Sequence, residues 1–178
     1  DFTLTDTTLD GVGMDTLNSI EQAQLTGGFS ANTIDASAFT GQTTLLGLGG
    51  GDTLTGGTDS DSLSGGTGDD EVNGGAGDDV LSNETGDDTL NGDAGNDTIS
   101  GGDGDDEVNG GADNDEILIT YSGGTLTVDA GLGTDRVTID DSGLGLAGSV
   151  NVDGGGGADL FLPLIHISEP TRRRHIAY

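Results

Sequence analysis

Aliphatic residues recur at every ninth position through the middle of the chain. From Gly47 to Leu118 the sequence divides without insertion into eight nonapeptides, and the eighth position of each is Leu, Val or Ile. A three-residue strand alternates its faces, so only its middle side chain points inward. The pattern therefore predicts short strands at positions seven to nine, each adding one side chain to a narrow core. These core positions are Leu54, Leu63, Val72, Leu81, Leu90, Ile99, Val108 and Ile117.

The other six positions of each nonapeptide have the composition of a tight turn. The first, second and fourth are mostly glycine, which tolerates positive φ angles and lets backbones approach closely. The sixth position is aspartate in all eight units. An acidic linker has no reason to keep the aspartates and the aliphatic residues in phase over this length. The sixth-position aspartates are Asp52, Asp61, Asp70, Asp79, Asp88, Asp97, Asp106 and Asp115.

Composition alone would place the chain near disordered proteins. It has 36 Gly, 3% aromatic and 30% hydrophobic residues, and 33 acidic side chains against 4 basic ones give a net charge of −29. This charge argues against nucleic acid as a partner. No cysteine is present, and no apolar run approaches the roughly 20 residues that a membrane span needs. Because the chain starts at Asp1 without a signal-like segment, we expect it to be part of a longer polypeptide.

The repeat GGxGxDxUx, with U a large aliphatic residue, resembles the calcium-binding nonapeptide of the RTX, or haemolysin-type, family. Units such as GGTGDDEVN and GGAGDDVLS carry the resemblance, which runs from Gly47 to Leu118. It implies an all-β fold, a right-handed parallel β-roll or β-helix solenoid with calcium-binding turns, in which two nonapeptides complete one coil. It also implies Ca²⁺ between stacked turns, bound by the sixth-position aspartates and by backbone carbonyls of the glycine turns.

Stacked coils would place the sixth-position aspartates in two columns, with neighbours separated by about 4.8 Å. Like charges at that distance repel by about 3.5 kcal/mol at an effective dielectric constant near 20, so we expect the coil not to close without metal. Ca²⁺ accepts six to eight oxygen ligands in flexible geometry, whereas Mg²⁺ retains its waters. Three gaps in each column give an expectation of about six ions, or more if flanking coils add sites.

Several turns depart from the repeat, and we expect them to bind calcium more weakly. The fourth-position glycine is replaced by Asp59 and Asp113, and glycines at the first two positions are replaced by Asn83, Glu84 and Asp93. The fifth position is often acidic as well, and for these carboxylates a solvated face is favoured over ligation. The fifth-position acids are Asp69, Asp78, Asp87 and Asp105.

The first 46 residues are interpreted as degenerate rungs of the same coil that form an N-terminal cap. Three segments there keep the spacing of the repeat and place Asp15, Asn32 and Thr43 where the aspartate would stand. We regard Asp15 as a weaker candidate for a metal ligand.

Residues 119–162 are interpreted as a second set of degenerate rungs. Gly124 stands at the aspartate position of a ninth unit, and later glycine turns contain Asp135 and Asp159, which are weaker metal candidates. Longer runs of apolar alternation follow these turns and predict a wider β-helix.

The last 16 residues, 163–178, differ in composition from the rest of the chain. Three of the four arginines and both histidines lie there, and glycine is absent. The stretch LIHISEPTR resembles the translation of a transposase-type sequencing adaptor. We therefore interpret this segment as a non-native tail and assign no site to it.

No catalytic motif accompanies the repeats. The first histidine is His166, the chain has no lysine, and neither H-E-x-x-H nor G-x-S-x-G occurs. The resemblance implies a calcium-dependent folding module, not an enzyme, located outside the cell or on a bacterial surface, with the type I secretion machinery as a partner. Two alternatives remain open: the C-terminal module of a secreted hydrolase or toxin with its catalytic domain elsewhere, or the stalk of a calcium-dependent adhesin.

Overall fold

Every regular element in the described part of the chain is a β-strand, and no helix there is long and apolar enough to span a membrane. The computed structural model describes residues 2–5, 8–10, 14–16, 20–120, 124–141 and 148–165. The suspected non-native tail thus lies outside the described residues from position 166 onward. The strands are β1 (Phe2–Thr5), β2 (Thr8–Asp10), β3 (Met14–Thr16), β4 (Gln22–Thr26), β5 (Thr33–Ala38), β6 (Gln42–Gly49), β7 (Thr53–Thr55), β8 (Ser62–Thr67), β9 (Glu71–Ala76), β10 (Val80–Ser82), β11 (Thr89–Ala94), β12 (Thr98–Ser100), β13 (Glu107–Ala112), β14 (Glu116–Thr120), β15 (Gly124–Asp129), β16 (Leu132–Gly133), β17 (Arg136–Asp141), β18 (Gly148–Asp153), β19 (Gly156–Gly157) and β20 (Leu160–Ile165).

From β4 onward the strands alternate between two parallel sheets, apart from the two-residue strands β16 and β19. One sheet contains β5, β7, β9, β11, β13, β15 and β18 as successive neighbours, and the other contains β4, β6, β8, β10, β12, β14, β17 and β20. Each strand therefore pairs with the strand one coil later, as Leu63 with Leu81 and Leu81 with Ile99. Two strands and two turns make one coil, which confirms the predicted parallel β-solenoid.

The length of one coil changes along the solenoid. Within the repeats, paired positions such as Asp70 and Asp88 are 18 residues apart. The step grows to 20 residues between Asp115 and Asp135 and to 24 between Asp135 and Asp159. The sequence predicts a wider coil in this region, and the described strands there are longer, as β17 with six residues compared with β12 with three.

The core is a single row of side chains between the two sheets. All eight eighth-position aliphatic residues are at most 1% exposed, as the ninefold pattern predicts. In the flanks the row becomes two side chains wide, because Ile117 with Ile119 and Leu126 with Val128 are buried on the same strands. The widest coil is filled less completely, since Val137, Ile139, Val152, Phe161 and Leu162 line an apolar groove of about 330 Å³.

The first strands do not follow the coil. β1 lies parallel to β5, but β2 is antiparallel to both β1 and β3. Only two or three residues connect these strands, and antiparallel pairing is the arrangement that such short connections permit. The expectation of a coil turn at Asp15 is therefore wrong, because Asp15 lies inside β3 opposite Leu9.

The strand β10 offers a matched test of the core. Leu81 is 1% exposed, whereas the preceding residue Val80 is 49% exposed. In saturating calcium we expect L81A to lower the free energy of unfolding by about 2–5 kcal/mol, because it leaves a cavity in a row that has no second layer. V80A should change it by less than about 0.5 kcal/mol. Chemical denaturation followed by circular dichroism measures both, and equal losses for the two variants would contradict the assigned core.

Candidate metal centre

The turns of the repeats hold their backbone in the left-handed region at two positions. Gly66 at the second position has a φ of 105° and Gly68 at the fourth has a φ of 115°. Three residues other than glycine adopt the same conformation at these positions, Leu48, Asp93 and Asp113, with φ angles of 83°, 71° and 78°. Glycine at the second and fourth positions is thus favoured by backbone conformation.

Glycine at the first position is required for space. A Cβ atom on Gly74 would lie 2.6 Å from Asp79 Oδ2 and 2.8 Å from the carbonyl oxygen of Gly92, one coil later. The same two kinds of atom would meet a Cβ on four other first-position glycines, Gly47, Gly56, Gly92 and Gly110. Each of these turns therefore leaves open a small space on which a carboxylate oxygen and a main-chain carbonyl oxygen converge.

The sixth-position aspartates form two continuous columns, one along each edge of the solenoid. In each, the backbone N–H of one aspartate donates to Oδ1 of the aspartate one coil later, with N–O distances of 2.7 to 3.2 Å. The first Asp column consists of Asp52, Asp70, Asp88 and Asp106, and the second Asp column consists of Asp61, Asp79, Asp97, Asp115, Asp135 and Asp159.

Both columns begin with a neutral residue. The backbone N–H of Asn32 donates to Asp52 Oδ1 at 2.7 Å, and that of Thr43 donates to Asp61 Oδ1 at 2.6 Å. These residues stand at the aspartate positions that sequence spacing gives them. The weaker candidates Asp135 and Asp159 likewise belong to the second Asp column, with Asp135 1% exposed.

The first Asp column ends where the coil lengthens. The register pairs Glu107 with Thr127, so the residue that follows Asp106 in this column is Leu126. The nine-residue spacing predicts Gly124 at that position. This prediction is wrong, because the coil contains 20 residues where the repeats have 18. A buried apolar side chain thus continues the column of carboxylates.

Most column aspartates bury one oxygen that has no partner. The eight sixth-position aspartates are only 1–3% exposed. Asp61 Oδ2 accepts the N–H of Gly57 at 2.6 Å. Burying a carboxylate oxygen without a hydrogen bond is costly, and a hard cation with oxygen ligands removes that cost, so the residues present fit Ca²⁺. Within the described parts of the two columns, the unpartnered carboxylate oxygens are Oδ2 of Asp52, Asp70, Asp79, Asp88, Asp97, Asp115 and Asp135.

Burial also changes the acidity of these groups. The pKa of Asp79 and of Asp115 is raised to about 7, mainly by burial; the backbone N–H bond opposes this rise and the neighbouring carboxylates add to it. Burial raises the pKa of Asp70, Asp97 and Asp106 to about 6. The metal-free columns therefore resist full ionisation at neutral pH.

Asp88 has an additional neighbour. Burial raises the pKa of its carboxyl as well, but the hydrogen bond from Asp70 and the nearby side-chain amide of Asn83 oppose the rise. Asn83 is only 7% exposed, and its Oδ1 accepts the backbone N–H of Gly65 at 2.8 Å. Asn83 is recognisable in the sequence as a departure from the repeat. That its carboxamide is buried could not be predicted, because this depends on packing between coils.

The fifth-position acids form a separate, exposed ladder outside the columns. The N–H of Asp87 donates to Asp69 Oδ1, and that of Asp105 donates to Asp87 Oδ1, both at 3.0 Å. On the other edge, hydrogen bonds from Asn96 to Asp78 lower the pKa of the exposed Asp78 carboxyl. The fifth-position carboxylates thus lie at the surface, where they accept hydrogen bonds from the next coil.

No group of three acidic or histidine side chains gathers around one point within the described ranges. The columns explain this result, because each coil contributes only one aspartate to a column and successive carboxylates are therefore separated along the solenoid. An ion between two turns would therefore complete its shell with main-chain carbonyl oxygens, which the glycine turns supply.

A comparison with protein families identifies the repeats. Two segments, residues 46–81 and 83–117, match a family model that is described as the RTX calcium-binding nonapeptide repeat and that covers four copies of the repeat. No curated protein matches the chain. The matched segments contain all eight sixth-position aspartates, whereas Asp15, Asp135 and Asp159 lie outside them. The resemblance inferred from the sequence is confirmed for this part of the chain.

The raised pKa values predict how the metal-free fold depends on pH. The folded carboxyls hold protons up to about pH 6 to 7, whereas in the unfolded chain they release them near 3.8. The folded state therefore binds more protons between these values, and its stability is greatest below the unfolded pKa and is lost as the pH rises through the folded pKa. After complete removal of metal, we expect more β signal in circular dichroism at about pH 5 than at about pH 8.

The control is the same comparison of β signal at about pH 5 and about pH 8, made in saturating calcium. Protons then compete with ions for the carboxylates, so acidification should weaken calcium binding. A metal-free β signal that increases with pH would contradict the assigned burial of the columns.

The first-position glycines offer a steric test. G74A should destabilise the calcium-loaded fold by about 1–3 kcal/mol, because its methyl group would occupy the space between Asp79 Oδ2 and the Gly92 carbonyl oxygen. Gly28 is the matched control, since the nearest atom to its added Cβ is Asn32 Oδ1 at 3.8 Å. G28A should be neutral within about 1 kcal/mol. Calcium-loaded thermal unfolding distinguishes the two variants, and a G74A protein as stable as G28A would show that the space is unimportant.

Proposed function

We propose that residues 46–117, which belong to the RTX calcium-binding nonapeptide repeat family, are the calcium-dependent folding module of a secreted or cell-surface protein. Calcium binding itself follows from the family. One observation supports the folding role: most aspartates of both columns bury an Oδ2 atom that has no hydrogen-bond partner. A fold that must bury these charges favours a bound cation over the bare chain.

The ligands we propose are the side chains of both Asp columns together with main-chain carbonyl oxygens of the glycine turns. Within the family match each column has three gaps between successive aspartates, which gives about six ions. Asp135 and Asp159 extend the second Asp column by two further gaps in the same hydrogen-bonding pattern. We include them in the ligand set, and we exclude Asp15 because it lies in an antiparallel strand.

The compartment follows from the calcium concentration at which such a module folds. Extracellular calcium modules have Kd values of about 10⁻⁴ to 10⁻³ M, far above cytosolic calcium. At cytosolic calcium the aspartates of each column repel one another and the chain stays extended, whereas outside the cell the ions close the coils. An extended polyanion suits passage through a type I secretion channel, and calcium on the far side then drives folding.

A calcium titration of the full chain tests this function. At about pH 8, where the columns are ionised, we expect a cooperative gain of β signal in far-UV circular dichroism near about 10⁻⁴ to 10⁻³ M calcium. Magnesium at the same concentration should give no such gain, since it dehydrates reluctantly and demands octahedral geometry. A chain that is fully folded after chelation, or that stays unfolded in millimolar calcium, would refute the proposal.

Two neighbouring aspartates provide matched variants for that titration. Asp79 is buried in the second Asp column, and Asp78 is the exposed residue before it. D79N should raise the midpoint calcium concentration by a factor of roughly three to ten, because it removes one anionic ligand. D78N should leave the midpoint within about twofold of the unmodified chain.

A further inference from the structure

The turn over residues 83–88 contains a buried carboxamide at the position where regular turns have glycine. Asn83 is the first residue of this turn, and its side chain is 7% exposed. Its Oδ1 accepts the N–H of Gly65 in the turn one coil earlier, at 2.8 Å. Its Nδ2 is also buried and makes no hydrogen bond to the described residues.

This carboxamide stands where two oxygen atoms converge in the regular turns. A Cβ on Gly47 would meet Asp52 Oδ2 and the main-chain carbonyl oxygen of Gly65. A Cβ on Gly65 would instead meet Asp70 Oδ2 and Oδ1 of Asn83. Between these two turns, a side-chain amide therefore replaces the main-chain carbonyl that faces the column carboxylate elsewhere.

The backbone hydrogen bonds of this turn also differ from those of a regular turn. The N–H groups of Glu84 and Thr85 both donate to the carbonyl oxygen of Gly66, at 2.9 and 3.3 Å, whereas Ala76 in a regular turn donates alone to Gly57 at 3.1 Å.

The chemistry of the amide favours neutralisation over ligation. Asp70 Oδ2 and Asp88 Oδ2, on either side of the gap, are both buried without a partner. The Asn83 amide lies close enough to Asp88 to lower the pKa of that carboxyl, and its two N–H groups, which have no other acceptor among the described residues, are the kind of donor that a buried carboxylate needs. An ion in the same space would be repelled by those N–H dipoles and would leave them unpaired in the interior, at a desolvation cost.

We propose that the Asn83 carboxamide takes the place of a calcium ion between the turns at residues 65–70 and 83–88. The first Asp column then binds one ion fewer than its four turns would otherwise allow, and its middle gap is closed without metal. This inference rests on the proposed function, since it concerns the number of ions that the module binds.

Restoring the regular turn tests the proposal. E84G with N83G gives the turn GGTGDD, which is identical to residues 65–70. Native mass spectrometry of the full chain at saturating calcium should count one more ion in this double variant than in the unmodified chain. E84G alone retains the carboxamide and is the matched control, so its count should be unchanged. An equal or lower count in the double variant would overturn the proposal.

A second variant keeps the test decisive if the double variant folds poorly. N83G alone also removes the carboxamide and keeps Glu84, so its calcium count should exceed that of the unmodified chain by one, and an unchanged count would overturn the proposal. A native chain that binds no calcium at all would instead refute the proposed function, so the two failures are distinguishable.

Discussion

One hydrogen bond determines both the architecture and the chemistry of this protein. Wherever a column continues, the backbone N–H of one aspartate donates to Oδ1 of the aspartate one coil later, as from Asp79 to Asp97 at 2.8 Å. This bond keeps successive coils in register and draws the carboxylate out of water. Because it satisfies only one of the two carboxylate oxygens, Oδ2 is left as a buried acceptor. The contact that aligns the coils therefore also leaves the buried oxygen atoms that fit a cation.

Much of this arrangement follows from the sequence, because the repeat is local and periodic. The ninefold spacing identifies the buried aliphatic residues and the column aspartates, and the resemblance to the RTX repeat supplies the parallel coil. The errors occur where neighbours in space differ from neighbours in sequence. Gly124 lies at the expected spacing, but two extra residues move Leu126 into the column. Asp15 also keeps the repeat spacing, yet it lies in an antiparallel strand at the edge of the sheet.

Asn83 shows in the same way that the sequence does not reveal which residues a side chain contacts in the next coil. Sequence alone identifies the loss of a glycine and predicts a weaker site. Only the stacking of coils places Oδ1 on the N–H of Gly65 and the amide beside Asp88. Whether a substitution in such a turn weakens an ion site or replaces its ion depends on what the new side chain faces one coil away.

In the C-terminal flank, an apolar side chain takes a place that a column aspartate occupies in the repeats. In the repeats a strand such as β12 buries a single aliphatic residue, Ile99, while β15 buries both Leu126 and Val128. Leu126 also follows Asp106 in the first Asp column. Wider coils thus gain apolar burial at the point where this column of carboxylates ends. Since hydrophobic burial needs no ion, it adds stability to coils in which only the second Asp column continues, through Asp135 to Asp159.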